Sequence, residues 1–457
     1  MLIGSMLLLI NCNMAQAADT TSISADSMLL FENEIDNLGK ETDNKKEEKD
    51  QQYISDSTSD LRIGIAEVEL QHYTKAIPVL QKALTATGNP IAANYLSTAY
   101  LMMNRKEEAK AIYNLLSEDY KQTYAIKPRP LSAIYAEGGL LLNNTDHPDN
   151  YAATEWYDFD PSGYGMILLT HDITPHLQLT HGVSYYRIGG SQTFSQTYGY
   201  DTTLTKENAN TSFSHIGYTA NLKATFIDNW QLTLAGCIFR TQAKYCTLEY
   251  DTTKIASDNT KYEWEDNHFY DNQFPPNPIK QITKNENQTN WIAELCVRKE
   301  WNIFGWEAGG SYGHIENKYI WQPRGQLEIY PFENLDFYSI TSASGLLGDK
   351  NHLVWEESLG GRLCRWIWCT ISYARGDMEY YHENELTNIY TMLYKTHYRI
   401  SANITFPISK YLTVNVLYRY MQKESPSYHI ATNNGQIEKE SEETKSNNII
   451  GGIKWTF

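Results

Sequence analysis

The stretch that decides the fold lies near the end of the chain, where residues 411–422 read YLTVNVLYRYMQ. Apolar and polar side chains alternate there, as they also do in residues 218–226 and 398–406. A period of two places the apolar side chains on one face of a β-strand and the polar ones on the other. A soluble sandwich would turn the apolar face inward, whereas a membrane barrel would turn it to lipid. The alternation alone is compatible with both architectures.

The lengths of the connections favour the barrel. About fourteen strands can be traced between Ala133 and Phe457, and every second strand is followed by a tight turn, as at 174–176 and 407–410. Most of the other connections are long: 143–163, 189–212, 251–290 and 423–448. Two more, near 320–324 and 344–352, are short. This alternation is typical of an outer-membrane barrel, whose tight turns face the periplasm. The sequence therefore predicts a transmembrane antiparallel β-barrel over residues 127–457, with the preceding segment on the periplasmic side.

The composition excludes several other classes of protein. Lys and Arg number 38 against 55 Asp and Glu, a formal net charge of −17, so the chain is not an electrostatic nucleic-acid binder. A mean hydropathy of −0.51 excludes a bundle of membrane-spanning helices. The 34 Tyr and 11 Trp suit the aromatic girdles of a membrane barrel.

The beginning of the chain predicts secretion. An apolar stretch at residues 2–10 is followed by Ala15-Gln16-Ala17, so residues 1–17 are predicted to be a signal peptide cleaved before Ala18. The alternative is lipid modification of Cys12. Residues 18–60 are rich in Lys, Glu, Asp and Asn, and they are predicted to be a solvated linker.

Residues 61–126 change to a helical period and contain an internal repeat of about 33 residues, the distance from Ala76 to Ala109. The packing positions of this repeat are Gly64, Ala76, Leu80, Ala83, Leu96, Tyr100, Ala109 and Tyr113. Small residues there let two helices cross closely, and the pattern resembles tetratricopeptide repeats. Two copies are fewer than the three that usually make a stable array, so flanking helices or a neighbouring domain must cap them. An unrelated helical hairpin is the alternative.

The last strand ends in Gly452, Trp455 and Phe457. These positions resemble the C-terminal signal that the barrel-assembly machinery recognises. The whole layout is similar to outer-membrane proteins that join periplasmic tetratricopeptide repeats to a barrel, such as surface-lipoprotein assembly modulators and polysaccharide-export porins. A fourteen-stranded barrel also resembles the fatty-acid transporter family, although no N-terminal plug motif is present. The resemblance implies transport or export with a periplasmic protein partner, and it transfers no catalytic or binding residue.

The polar faces of the predicted strands carry charged side chains that should face the lumen, because at mid-depth in lipid each Arg or Lys would cost about 2–4 kcal/mol. These candidates are Lys223, Glu294, Arg298, Glu307, Glu356, Arg362, Arg399, Arg419 and Lys454. They suit either a water-filled passage for a polar substrate or ion-pair networks that fill a closed lumen. The predicted loop 251–290 mixes aromatic residues and carboxylates, which suits either sugar or cation binding or a loop folded over its own mouth.

Signals for chemistry are negative. No phosphate-binding loop, metalloprotease or serine-hydrolase motif occurs, so no enzyme activity, cofactor or metal is predicted. His171-Asp172 lacks a second carboxylate in register, and Cys364 and Cys369 flank a tight turn, where they either pair or stay isolated. Two functions remain: a transport or export barrel whose helical module docks a periplasmic partner, and a sealed barrel that acts through its surface loops. The predicted partners are outer-membrane lipid, the assembly machinery and a periplasmic protein.

Overall fold

The computed structural model describes most of the chain from residue 48 onward. The described residues are 48–124, 127–145, 153–198, 203–226, 229–250, 279–301, 303–348, 351–364, 366–386, 388–390, 395–409, 411–430 and 437–457. The predicted signal peptide, Cys12 and most of the predicted linker lie outside these residues. So does most of the predicted loop 251–290.

Five α-helices lead into the barrel in the described part of the chain. They are α1 Glu48–Glu69, α2 Tyr73–Thr87, α3 Pro90–Met102, α4 Lys106–Ala111 and α5 Glu118–Thr123. Gly88 ends α2 in the left-handed region with φ 63°, and the Asn89 side chain accepts a hydrogen bond from the Ile91 amide at the start of α3. Gly after a helix and Asn-Pro before the next one are the residues that these two backbone conformations favour. None of the described helices is long and apolar enough to cross a membrane.

Helix α1 begins at Glu48, whereas the sequence predicted a linker as far as residue 60. The polar residues at its start are good helix formers, and they continue directly into a part of the helix that is packed. Leu61 and Val68 in that part are buried in the module core. Burial of Leu61 and Val68 stabilises the whole helix, including its polar first turns, which would not form a stable helix alone.

The helices pack as a small module whose core continues into the barrel. Most of the predicted repeat positions are buried in the module: Gly64, Ala76, Leu80, Ala83, Leu96, Tyr100 and Ala109. Tyr113 is half-buried, and the Lys121 ammonium group lies 5.6 Å from its ring centroid. Tyr330 of the barrel belongs to the same hydrophobic cluster, and Leu335 and Tyr338 pack against it. The barrel therefore supplies part of the cap that this short helical array needs.

Gly64 offers a test of the close helix crossing, because a Cβ atom there would lie 2.6 Å from the side chain of the fully buried Leu80. We expect Gly64→Val to destabilise the module by about 1–3 kcal/mol, as overpacking does in cores. Ala66→Val adds a β-branched side chain at an exposed position of the same helix and is expected to cost only a few tenths of that. Amide hydrogen exchange in α1–α3 measures both variants. Equal protection in the two would contradict the packing.

Fifteen strands follow in the described residues. They are β1 Ala133–Thr145, β2 Ala153–Phe159, β3 Ser162–Thr174, β4 Leu177–Tyr198, β5 Thr203–Thr225, β6 Trp230–Tyr250, β7 Ile279–Trp301, β8 Phe304–Ile315, β9 Lys318–Ile329, β10 Phe337–Leu346, β11 His352–Cys364, β12 Ile367–Gly376, β13 Lys395–Pro407, β14 Leu412–Ile430 and β15 Ile437–Thr456. All of them except β2 form one closed antiparallel ring of fourteen strands, and β2 pairs with the outer part of β4. The ring closes where β1 pairs with β15, from Ala133 opposite Thr456 to Thr145 opposite Thr444. The predicted fourteen-stranded barrel is confirmed.

The two ends of the barrel differ as the connection lengths predict. The connections after β3, β5, β7, β9, β11 and β13 are short, and we call their side the turn end. The chain enters β1 and leaves β15 at this end, and the helical module lies there. The opposite side is the loop end.

The side chains of the barrel are distributed in the opposite sense to those of a soluble protein. On β14, Val416 and Tyr418 are about 42% and 43% exposed, whereas Asn415 and Arg419 are 5% and 0% exposed. The same inversion recurs around the ring, where the exposed apolar residues include Ile167, Val183, Ile216, Leu234, Leu295, Leu327, Leu359, Ile371, Ile400 and Ile453. The outer wall is therefore an apolar band. The interior combines polar and charged side chains with a buried cluster of apolar and aromatic ones, which includes Tyr186, Phe239 and Leu417.

Two predicted long loops are wrong, and the other two are wrong in part, because β2 lies inside 143–163 and β7 begins at Ile279, inside 251–290. Strand β4 continues to Tyr198 and β5 begins at Thr203, so residues 189–212 are mostly a strand hairpin, and β14 and β15 likewise extend into 423–448. The sequence there is polar on both faces, as in 206–210, which reads KENAN. A strand with water on both sides keeps its ladder of hydrogen bonds but loses the apolar half of the alternation. Strands β4–β7 therefore extend further from the turn end than the shorter strands β8–β13.

The sequence also predicted the connection between β8 and β9 at 320–324, and that position is wrong. The turn lies at Glu316-Asn317, where both residues have positive φ values of 50° and 65°, as a two-residue hairpin of type I′ requires. Pro323 lies inside β9, opposite Gly310. The continuous ladder between β9 and β10 ends at Ser344 opposite Arg324, and one further bridge pairs Trp321 with Leu347. Pro323, which has no amide hydrogen, lies at the interruption between them.

Candidate functional site

A segment between β12 and β13 occupies the barrel interior. The chain leaves the wall after Gly376 and folds inward, and we call residues 377–386 and 388–390 the inner segment. It folds back on itself, because the Glu383 amide donates to the Asn388 carbonyl at 2.8 Å and the Tyr390 amide donates to the Tyr381 carbonyl at 2.7 Å. The sequence predicted strands at 367–380 and 389–406 with a connection at 381–388. The assignment of 377–380 and 389–390 to strands is wrong, because the strands are Ile367–Gly376 and Lys395–Pro407.

The inner segment is anchored on β8 and β9. The Gln322 side-chain amide donates to the His382 carbonyl at 2.7 Å, and the His382 ring contacts Ser311. The Asn384 amide group donates to Glu307 Oε1 at 2.8 Å. Because these partners are buried, each hydrogen bond replaces one that water would otherwise make.

The tip of the inner segment reaches the opposite wall. The Glu385 carboxylate lies 2.9 Å from Lys223 Nζ on β5, and the Glu385 amide donates to Glu294 Oε1 on β7 at 2.9 Å. Strand β5 is seven positions from β12 in the ring of fourteen, so the segment crosses the whole bore. Glu385 and Leu386 have left-handed φ values of 56° and 55°. Two such non-glycine residues in succession are strained, and the surrounding contacts must hold them.

The base of the inner segment is held by two buried arginines. Glu383 contacts Arg399 of β13, and its Oε1 lies 3.8 Å from Arg419 Nη1 of β14. Arg399 also contacts Glu356 of β11 and donates to the Tyr390 hydroxyl at 2.6 Å. An uncompensated arginine in this interior would be costly, so these carboxylates and the inner segment stabilise each other.

At the turn end, the helical module inserts charged side chains into the mouth of the barrel. Arg105, just before α4, lies 2.6 Å from the Glu300 carboxylate of β7 and donates to Glu108 at 2.9 Å. Gln231 of β6 donates to the same oxygen of Glu108 at 2.9 Å. Arg105 and Glu108 are buried. The module is therefore docked by hydrogen-bonded charges inside the mouth and not only by its apolar core.

Further contacts fix the module on the rim of the barrel. Asn229, in the turn between β5 and β6, accepts from the Tyr100 hydroxyl at 2.9 Å and from Gln81 at 3.0 Å. Burial raises the pKa of Tyr100 well above its usual value, so its hydroxyl keeps the donated proton. Lys75 lies 2.6 Å from Glu333 in the turn between β9 and β10, and this hydrogen bond raises the pKa of Lys75.

Lys110 and Asp172 form a buried ion pair between the module and β3. The Lys110 ammonium group lies 2.8 Å from both carboxylate oxygens of Asp172. Asp172 also accepts from the Arg129 backbone amide at 3.1 Å and from Gln178 at 3.1 Å. One carboxylate thus ties helix α4, the junction before β1 and strand β4 together. The sequence named His171-Asp172 only as a weak catalytic candidate, and the structure gives Asp172 this packing role while the His171 ring stacks on His181.

Glu107 on α4 is negatively charged at neutral pH. Burial would raise the pKa of its carboxyl group, but Lys223, Lys110 and Lys454 together hold that pKa below its usual value. The group therefore adds a negative charge to the space between the module and the inner segment.

A chamber of about 220 Å³ lies in that space. Its carboxylates are Glu107, Glu108, Glu300, Glu307, Glu328, Glu356, Glu383 and Glu385, and its cations are Arg105, Lys223, Arg298 and Arg324. Tyr330, Tyr338 and Tyr381 also line it. The module bounds it on one side and the inner segment on the other.

The nine charged residues predicted for the polar faces lie in two groups. Most contact the inner segment: Lys223, Glu294, Glu307, Arg399 and Arg419. Glu356 is paired with Arg399. Arg298 bridges Glu300 and Glu328 at 2.5 and 2.7 Å. Arg362 lies at the turn end, 2.5 Å from Asp336 and over the Trp368 ring. Lys454 is half-buried on β15.

The predicted assembly residues lie on the last strand, as follows. Gly452 is buried, and a Cβ atom there would overlap the side chains of Asn415 and Tyr135. Trp455 and Phe457 are exposed on the outer wall. Cys364 and Cys369 are not disulfide-bonded, and across the ladder they lie opposite Ile367 and Gly361.

Two groups of side chains in the described residues bring three possible metal ligands together. They are Glu67, His72 and Glu333, and His352, Asp377 and Glu379. In the first group Lys75 already pairs with Glu333 at 2.6 Å, and in the second Lys395 pairs with Asp377 at 2.9 Å. An ammonium group at these carboxylates competes with a metal cation, so we assign no metal to either group.

Sequence reasoning missed the inner segment and its main cation. Arg324 of β9 lies 2.7 Å from Glu307 and contacts Asn384, yet the misplaced turn removed it from the predicted strands. A usable signal was present, because residues 378–390 (MEYYHENELTNIY) break the period of two and concentrate polar side chains. Such a stretch between two strands indicates a segment that packs on all sides.

No family model matches the chain, and no curated protein matches it either. Among solved structures, it is similar to the toluene transporter TodX of Pseudomonas putida, with 7% identity over 74% of this chain and 91% of that chain and a TM-score of 0.45. A FadL homologue of Pseudomonas aeruginosa has 10% identity, coverage of 81% and 94%, and a TM-score of 0.42. The outer membrane protein Omp33 of Acinetobacter baumannii has 8% identity, coverage of 72% and 99%, and a TM-score of 0.32.

Proposed function

We propose that the protein is an outer-membrane channel for small polar solutes, closed in this conformation by the inner segment and by the helical module. The inverted distribution of side chains carries the proposal. An exposed apolar outer wall is what a barrel in lipid needs, and a protein surrounded by water would have little use for it. The buried charges that line the chamber suit polar solutes, although an apolar cluster fills another part of the interior. The chamber lies between the inner segment and the helical module and is the section of the passage that these two closures leave open.

The spacing of exposed aromatic residues supports a membrane location. On β7, Trp301 and Trp291 are exposed ten residues apart, and on β8, Phe304 and Tyr312 are exposed eight residues apart. With about 3.4 Å per residue and a tilt near 40°, these separations are about 21–26 Å along the barrel axis, close to the height of a lipid-facing band. Assembly through the terminal Phe457 and contact with outer-membrane lipid belong to the same proposal.

A charge on the outer wall tests the membrane location. We expect Leu234→Lys, at an exposed position of β6, to lower the free energy of unfolding in lipid vesicles by about 2–4 kcal/mol, because the ammonium group must enter hydrocarbon. Leu115→Lys places the same change on an equally exposed leucine of the helical module and is expected to have almost no effect. Urea unfolding followed by tryptophan fluorescence measures both. Equal stability of the two variants would place the barrel wall in water.

We further propose that the helical module is a tetratricopeptide-like unit that docks a periplasmic protein. Its buried small residues and the close approach of Gly64 to Leu80 support this assignment. A partner that binds the module would compete with its docking in the barrel mouth and would so couple binding to opening. Co-purification with the intact chain tests the proposal, and the Gly64→Val variant should lose the partner.

The channel itself is tested by conductance in planar bilayers. We expect the intact chain to conduct weakly and variants that release either closure to conduct more. A sealed barrel that acts through its loop end is the alternative, favoured by the number of ion pairs that fill the bore. Current that stays absent when both closures are released would support the sealed barrel.

A further inference from the structure

We propose that the chamber is a binding site for a small cationic solute that carries an ammonium or guanidinium group. This inference rests on the proposed channel and names its substrate class. The chamber is lined by eight carboxylates and four cations, a formal excess of 8 − 4 = 4 negative charges. Two of the carboxylates, Glu356 and Glu383, are bonded to Arg399, which leaves six carboxylates against the four cations. Of the other cations that act on Glu107, Lys110 is paired with Asp172, so adding Lys454 still leaves six carboxylates against five cations.

Every cation of the chamber is already held by a carboxylate. Arg298 lies between Glu300 and Glu328, and Arg324 is bonded to Glu307. In the same way Lys223 is bonded to Glu385, and Arg105 is bonded to Glu108 and Glu300. An anionic solute would have to displace one of these carboxylates. The chamber therefore disfavours anions, whatever their size.

The carboxylates, by contrast, retain acceptor capacity. A carboxylate group accepts about four hydrogen bonds. Glu328 is saturated by two bonds from Arg298 and one each from Gln326 and Tyr330, but Glu108 is not saturated. Glu108 is the sharpest case, because its Oε2 atom is buried and has no hydrogen-bond partner among the described residues. A donor-rich cation supplies the missing hydrogen bonds together with the missing positive charge.

Aromatic rings complete a site suited to a cation. Tyr330, Tyr338 and Tyr381 line the chamber, and the ring centroids of Tyr330 and Tyr338 lie 6.4 Å apart. The face of an aromatic ring attracts ammonium and guanidinium groups, and more strongly where water is scarce. The small volume of the chamber limits the occupant to a compound of few heavy atoms, which excludes a folded polypeptide.

Calorimetric titration of the full chain in detergent at low ionic strength tests the inference. The probes are agmatine, which carries a guanidinium and an ammonium group, and succinate, which carries two carboxylates. We expect agmatine to bind and succinate not to bind, and we expect added salt to weaken the binding of agmatine. Equal or tighter binding of succinate would overturn the inference.

A matched pair of variants tests whether agmatine binds in the chamber. Glu107→Gln removes one negative charge from the chamber wall, and we expect it to weaken agmatine binding by about fivefold or more. Glu118→Gln makes the same change on the outer face of α5, where the side chain is exposed, and should leave the affinity unchanged. If both variants bind agmatine like the intact chain, the chamber is not the site.

Ion selectivity separates a failure of this inference from a failure of the proposed channel. Across a bilayer with a salt gradient, the reversal potential of a chamber with excess carboxylates should indicate preference for K⁺ over Cl⁻. Current that prefers Cl⁻ would overturn the cationic site while the channel stands. Absence of current with the closures released would overturn the channel, and agmatine binding that depends on Glu107 would still support the site.

Discussion

Shortening the inner segment is expected to turn a weakly conducting barrel into a conducting one. Replacing residues 379–390 by a Gly-Ser-Gly-Ser turn removes the contacts of Glu383 and Glu385 with the wall. The ring should remain closed, because β12 and β13 pair from Trp368 opposite Thr405 to Arg375 opposite Tyr398 without help from this segment. We expect conductance in planar bilayers to rise by about tenfold or more, since the bore is then obstructed only at the turn end.

Two comparisons make this result specific. The Glu383→Gln and Glu385→Gln variants weaken the anchors without removing the segment, so they should produce brief openings. Glu424→Gln removes a carboxylate that pairs with His397 at 2.7 Å, outside the inner segment, and should leave the current unchanged. Because the two closures lie in series, releasing the module as well should raise the conductance further. Currents equal to that of the intact chain in all of these variants would show that the segment does not close the passage.

The ring of strands could be predicted from the sequence because each strand carries its own signal, the alternation of apolar and polar residues. Each strand must present apolar side chains to the outside, so alternation is written into every strand separately, as in residues 411–422. The length of β4, β5, β14 and β15 was not accessible in this way. Their outer ends lie where both faces are polar, and there pairing with the neighbouring strand holds the backbone while the pattern is lost.

The charged residues of the interior could be predicted from the sequence, but the residues that they contact could not. Alternation places Lys223, Glu294 and Glu307 on the polar faces of their strands. It cannot show that the residues they contact come from a segment about 77 to 162 positions further along the chain. That segment has no period of its own, because it is surrounded by protein on several sides. Contacts over such separations follow from the closure of the ring, which no local pattern encodes.

Arg324 shows how one local signal can mislead. The predicted connection at 320–324 contains Pro323, and proline removes an amide hydrogen that a strand would use. Here Pro323 only interrupts the pairing of β9 with β10, which resumes at Trp321 opposite Leu347. The actual turn is formed by Glu316-Asn317, a pair that carries no glycine. The error moved a chamber cation out of the predicted strands and hid one of the ion pairs that hold the inner segment.

Removing Asp172 is expected to release the helical module. Asp172→Ala leaves the Lys110 ammonium group buried without its carboxylate, which costs about 3–5 kcal/mol when a buried pair is broken from one side. The charge cannot reach water unless α4 moves away from β3, so the module should undock locally while the ring of strands stays folded. Amide hydrogen exchange in α3 and α4 should then become faster by about two to three orders of magnitude, with the barrel strands unaffected.

The double variant Lys110→Met with Asp172→Leu separates docking from simple loss of packing. Replacing both charges by apolar side chains of similar size removes the ion pair without stranding a charge, so exchange should return most of the way to that of the intact chain. The pair Lys121–Glu118 has the same chemistry at an exposed site, and Glu118→Ala there should cost less than about 1 kcal/mol. If Asp172→Ala leaves the exchange of α4 unchanged, the ion pair does not hold the module. If amide hydrogen exchange in the double variant is as fast as in Asp172→Ala, the hydrogen bonds of Asp172 to Arg129 and Gln178 hold the module instead of the ion pair.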